Sequence, residues 1–183
     1  MTKSLADLGL TAGTWAIDPV HSTVAFAVRH LMVSKVRGRF TDFSGALVIA
    51  EDGTATANAE IRVDSVTTDN PQRDAHLRTA DFFSAEEFPL ATFTATGFRP
   101  SGDDFVVDGE FTLRGVTKPV TLQVEFLGVH PGMGNGPVAG FEAETVVSRR
   151  DFGLDLDMPL PDGGAVIGDK ITLTLEIEAG LQS

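Results

Sequence analysis

Residues 15–45 read WAIDPVHSTVAFAVRHLMVSKVRGRFTDFSG. From Ser22 to His30 the side chains alternate. Ser22, Val24, Phe26, Val28 and His30 share one face, and His21, Thr23, Ala25, Ala27 and Arg29 share the other. A period of two is the signature of a half-buried β-strand. The large apolar face ends in a histidine, which suits either a pocket wall with a polar mouth or a core strand with a polar end.

The same alternation recurs along the chain. It is clear in 54–63, 105–113, 120–126, 139–147 and 171–178, and Thr92 and Thr94 flank Phe93 in a further strand. One stretch departs from it. Between Val36 and Ile49, Phe40 sits on the even register while Phe43, Leu47 and Ile49 sit on the odd. A one-residue β-bulge between Arg39 and Gly45 would restore a common face. Turn-forming clusters at Glu51–Gly53, Pro100–Asp103 and Gly132–Pro137 separate the strands. The reading is all-β, with about eight antiparallel strands. Clean alternation favours a closed barrel, and periodicity alone leaves a two-sheet sandwich open. One short helix is expected over residues 71–81, with Asn70 as cap and Pro71 in the first turn. Residues 1–13 read as a short loose or helical lead, and residues 14–183 as a single domain.

Composition narrows the function classes. The chain has 183 residues, no cysteine, and a net charge of −12 from 14 basic and 26 acidic side chains. That balance repels nucleic acid and opposes adsorption to anionic membranes. Disulfides and thiolate zinc sites are excluded. The N-terminal MTKSLADLGLTAG lacks the apolar run of a secretory signal, and no run is long enough to span a bilayer. These features predict a cytoplasmic protein with no integral membrane segment.

Catalytic and metal chemistry find little support in the spacing. On an unbroken strand His21 and His30, nine residues apart, point to opposite faces, and no His pair stands at i, i+2 on a strand or i, i+4 on a helix, so no metal site is expected. No G-x-S-x-G elbow exists, tyrosine is absent, and the kinase-like letters Asp151-Phe152-Gly153 lack companion motifs. Asp155, Asp157 and Asp162 read as a solvated acidic loop. Binding fares better. Ala55, Ala57, Ala59, Gly97 and Gly109 fall on apolar faces opposite large phenylalanines. Small inward residues leave volume for a hydrocarbon chain, although alternating small and large residues also fill a tapered barrel.

Eight segments then carry a resemblance. They are W-x-I-D-P-x-H-S at 15–22, F-x-V-R-H at 26–30, V-R-G-R-F at 36–40, V-x-S-V at 63–66, R-D-x-H-L-R-x-x-D-F-F at 73–83, F-P at 88–89, L-R-G-V-T-K-P-V at 113–120 and R-x-D-F-G at 149–153. In this order they resemble the YceI-like family of polyisoprenoid-binding β-barrel proteins. The resemblance implies an extended, lipocalin-like eight-stranded antiparallel barrel with a long isoprenoid, such as that of a quinone, in its pore. It also implies a homodimer, no catalytic activity, and no cofactor beyond the bound lipid. On this reading Val24, Phe26, Val28, Phe40, Phe43, Ala57, Ala59, Phe93, Phe111 and Phe141 line the pore. His30, Leu77, Phe82 and Phe83 lie nearer an end, with His30 placed to bond a head group. Arg73, Asp74, Arg149 and Asp151 read as buried structural ion pairs, with head-group contacts as the alternative, and Trp15 and Pro89 as structural. Two alternatives stand beside lipid carriage, storage or sensing: an enzyme using His30 or His76 as acid or base on a bound isoprenoid, and a filled barrel acting through its surface.

Overall fold

A computed structural model describes residues 3–156 and 166–183. The described strands are β1 (Gly13–Ile17), β2 (Thr23–His30), β3 (Ser34–Phe40), β4 (Phe43–Ile49), β5 (Ala55–Arg62), β6 (Val66–Thr67), β7 (Leu90–Ser101), β8 (Asp104–Leu113), β9 (Val116–His130), β10 (Val138–Ser148) and β11 (Ile167–Leu181), with one α-helix, α1 (Pro71–Leu77). All pairings are antiparallel, and β1 pairs with both β4 and β11, so the sheet closes on itself.

Eleven segments make eight staves. Strands β1 and β2 lie end to end along β11, which pairs with β1 through Ala179–Leu181 and with β2 through Ile167–Glu176. Strands β4 and β3 lie end to end against them, and β5 and β6 against those. Strands β7 to β11 complete the ring in sequence order. The barrel is therefore an up-and-down meander, and the sandwich is set aside.

The irregularity expected as a bulge between Val36 and Ile49 is a full break. Thr41 and Asp42 leave the ladder, and both their N–H groups bond to Ser65 Oγ at 3.1 Å. Asp42 O in turn accepts from the Arg62 N–H at 2.9 Å. The break lets β3 follow β2 while β4 follows β1, and it leaves Phe40 and Phe43 both buried. A true bulge lies in β7, where the register with β8 shifts between Ala95 and Gly97. That shift corrects the expectation for Gly97, which pairs with Asp108, while Phe98 pairs with Val107 and takes the inward position. Gly109 also leaves no free volume. A Cβ there would fall 2.4 Å from Phe93 Cζ, so the ring already occupies the space.

The N-terminal lead contributes one 3-10 turn, Ala6–Leu8, and then Leu10, which is fully buried beside Trp15. Trp15 donates its Nε1–H to Thr11 O at 2.9 Å, so the indole is buried with its one polar atom satisfied. The lead and this cluster cover one end of the barrel. Residues 68–88 sit at the other, in the opening between β6 and β7.

Helix α1 starts as expected, with Asn70 Oδ1 accepting from the Arg73 N–H at 3.0 Å and Pro71 at the first position. It stops at Leu77 instead of 81, and turns carry the chain on through Ser84. The thin apolar stripe gives a longer helix nothing to pack on, and tethers hold the short one in place. Asp74 Oδ1 accepts from Thr68 N–H at 2.7 Å and Thr68 Oγ at 2.6 Å. Arg73 donates to Thr68 Oγ at 2.7 Å, so Arg73 and Asp74 meet through a threonine rather than as the expected ion pair. Burial pushes the Asp74 carboxyl up, but the Thr68 hydrogen bonds outweigh it and hold the pKa below the ordinary value. Replacing Asp74 with Ala strands the Thr68 donors and is expected to cost about 1–3 kcal/mol in urea unfolding at neutral pH. A depressed pKa gives stability that is present above about pH 4 and lost as pH falls through the folded value. The deficit of the variant should therefore shrink on acidification.

Candidate functional site

The inward faces of the staves enclose a cavity of about 500 Å³. This lies within the range typical of small-molecule sites. All fourteen residues named from the sequence as ligand-facing border it: Val24, Phe26, Val28, His30, Phe40, Phe43, Ala57, Ala59, Leu77, Phe82, Phe83, Phe93, Phe111 and Phe141. Strand parity brings most of them there, since each stave sends alternate side chains inward. Phe26 lies flat over Gly38 on the neighbouring strand, where a Cβ would come within 2.3 Å of its ring. The rings form chains along the wall, with Phe26 against Phe40 at 5.6 Å and Phe40 against Phe83 at 5.9 Å between centroids.

The cavity has two unlike ends. Leu5, Leu10, Trp15 and Phe141 close one. At the other, the lining includes Arg29, His30, Thr68, Arg73, His76 and Arg149. The topology gathers these six, because β2 ends at His30, β10 ends before Arg149 and α1 follows β6 at the same end. Among the described residues the His30 imidazole has no hydrogen-bond partner, whereas His76 Nε2 lies 3.0 Å from Asp81 Oδ2 and its ring stands edge-on to Phe82.

Arg149 differs from expectation. It is buried, and among the described residues its guanidinium donates to the carbonyls of Gly168, Leu154, Leu156 and Ile167 and to no carboxylate. It thus ties residues 154–156, which follow β10, to the start of β11. Asp151 is exposed, and the following Phe152 is buried against Phe111 at 5.4 Å. Several wall residues lie beyond the sequence reading, including Leu5, Leu10, Phe98 and Phe152. Phe98 is hidden by the β7 bulge and the two leucines by the isolation of the lead. Of the acidic loop, Asp157 and Asp162 lie outside the described residues.

A second cluster lies outside the lumen. Asp18, His21 and Glu178 bring donor atoms within 4.8 Å of one another at the interruption between β1 and β2. His21 falls in that interruption, so strand parity does not apply to it. Its Nδ1 lies 2.8 Å from Asp18 Oδ2 and 3.9 Å from Glu178 Oε2. The Asp18 hydrogen bond and charge, with Glu178 behind them, hold the His21 pKa above its ordinary value, and Asp18 is held below its own. A raised pKa means that the folded state favours the imidazolium, a stabilisation present at acid pH and lost as pH rises through the folded value. An NMR titration should place His21 above an unperturbed histidine at about 6.5, and Asp18→Asn should bring it back down.

A protein YceI of Escherichia coli is 41% identical over 140 residues, covering 75% of this chain and 73% of that one. Burkholderia cenocepacia BcnA superposes with a TM-score of 0.74 at 20% identity, over 89% of this chain and 99% of that one. A polyisoprenoid binding domain from Saccharophagus degradans superposes with a TM-score of 0.67 at 18% identity, over 91% and 98%. The YceI-like domain pattern matches residues 15–179, and with an apolar lumen inside an eight-stave barrel the chain belongs to the YceI-like family.

Proposed function

We propose that the lumen holds the chain of a long isoprenoid, such as that of a quinone, or of a similar amphiphile, in the service of carriage, storage or sensing. The supporting observation is the polarity gradient of the cavity. Its body is walled by phenylalanine, leucine and valine, and charged and imidazole groups gather at one end. An amphiphile fits this gradient with its tail toward Trp15 and its head toward His30. The His30 ring, which has no hydrogen-bond partner among the described residues, is the group best placed to bond a head-group oxygen, and Arg73 offers the part of its guanidinium that Thr68 does not use. Each methylene buried contributes roughly 0.8 kcal/mol, so affinity comes mainly from the chain. A relative of the same fold is described as a polyisoprenoid binding domain, which agrees with this reading.

The test is the mass of the purified protein under native conditions, with solvent extraction of what it carries. The wild type is expected to carry a long-chain lipid. Ala57→Phe projects a ring into the lumen and is expected to lower occupancy severalfold while the far-UV spectrum is retained. A bare polypeptide mass, or equal occupancy in the variant, would sink the reading. Incubating the extracted lipid with excess protein should leave its mass unchanged. A new product mass would instead favour acid–base chemistry by His30 or His76.

A further inference from the structure

The hairpin joining β2 to β3 presents three consecutive apolar side chains to solvent. Leu31 is 41% exposed, Met32 58% and Val33 82%. Leu31 and Met32 both have positive φ, 52° and 63°. Glycine, asparagine and aspartate are the ordinary occupants of that region in tight hairpins, and large apolar residues are rare there. Backbone strain combined with apolar exposure points to a use for these side chains at the tip.

Charge along the two strands of the hairpin is opposite in sign to that of the whole molecule. From residue 19 to residue 41 there is no aspartate or glutamate, while Arg29, Lys35, Arg37 and Arg39 stand in that span, in a chain of net charge −12. Arg29 is directly opposite Lys35 across the hairpin, and Arg37 opposite Ala27, so three cations share the outer face. All three are exposed. Arg39 lies 3.6 Å from Asp69, but among the described residues Arg29, Lys35 and Arg37 have no acidic partner. Like charges opposed across strands cost stability unless an external anion offsets them.

We propose that this hairpin is a docking element for the surface of an anionic lipid bilayer. The Leu31–Val33 tip would enter the interfacial region, and Arg29, Lys35 and Arg37 would lie against the anionic head groups. This is the combination of apolar insertion and basic attraction by which interfacial segments bind. The acidic remainder of the surface is repelled, which orients the molecule tip-down. The geometry gives the docking a consequence. Arg29 and His30 also border the cavity, so a docked molecule presents the polar end of its lumen to the bilayer. The proposal concerns the outer surface and stands whether or not the lumen holds an isoprenoid.

Co-sedimentation at low salt tests it, using vesicles of phosphatidylcholine alone and vesicles with a quarter phosphatidylglycerol. The wild type is expected to pellet with the anionic vesicles, far less with the neutral ones, and to be released by added salt. The double variants K35E/R37E and M32S/V33S change only exposed side chains. Each is expected to lower partitioning by about tenfold or more, with unchanged far-UV spectra. Wild-type protein that stays in the supernatant with anionic vesicles would overturn the proposal, as would variants that pellet like the wild type. Analytical ultracentrifugation addresses a second copy as the occupant. A wild-type dimer that M32S/V33S turns into a monomer, with no vesicle binding by either, would also overturn it.

Discussion

Three residue pairs between β1 and β11, Trp15 with Leu181, Ala16 with Gly180 and Ile17 with Ala179, join the first stave to the last together with the seven between β2 and β11. Everything else about the molecule depends on that closure. Every stave carries one apolar face, and an open sheet of this kind would expose both that face and two unpaired edges to water. Closing it turns the apolar faces into a single interior. The fully buried Trp15 sits at the seam, anchored by its bond to Thr11 and capped by Leu10.

Closure alone would give a packed core. What keeps the interior open is the way the rings lie against the wall. Phe26 lies on Gly38, and Phe93 on Gly109, each ring occupying the space of a missing Cβ on the neighbouring strand. Rings held flat against glycines line the wall without crossing the lumen. The alanines at 57 and 59 thin the wall beside them, Ala59 being the register partner of Phe93. The same residues therefore supply the hydrophobic stabilisation of the fold and the empty volume of the site. No separate pocket has to be carved into the core.

The regular staves were legible because a period of two is a local property. Phe105, Val107, Phe111 and Leu113 must face the same way in any strand they form. The departures from regularity were not legible, because their causes lie far off in the chain. The break at Thr41–Asp42 is held by Ser65. The β7 bulge falls in Ala95-Thr96-Gly97-Phe98, whose small residues suit either parity. Asp18, His21 and Glu178 meet across almost the full length of the sequence. Arg149, expected to pair with a carboxylate, binds the carbonyls of Leu154, Leu156, Ile167 and Gly168, which only the tertiary fold brings together. Of the site, the wall could be read from parity and the family motifs. Of the ends, His30, Leu77, Phe82 and Phe83 were legible, whereas Leu5 and Leu10 carry no periodic signal and Phe152 sits in a 3-10 turn.

A tube that is apolar along its body and polar at one end makes a quantitative demand on its ligand. Affinity must grow with chain length until the lumen is full. The direct measurement is the dissociation constant for a series of isoprenoid alcohols with one head group and increasing numbers of isoprene units. The account expects binding to tighten steadily with each added unit, at roughly 0.8 kcal/mol per buried methylene as an upper guide, and then to level off once the chain reaches the Trp15 end. Affinities that do not change with chain length would contradict it.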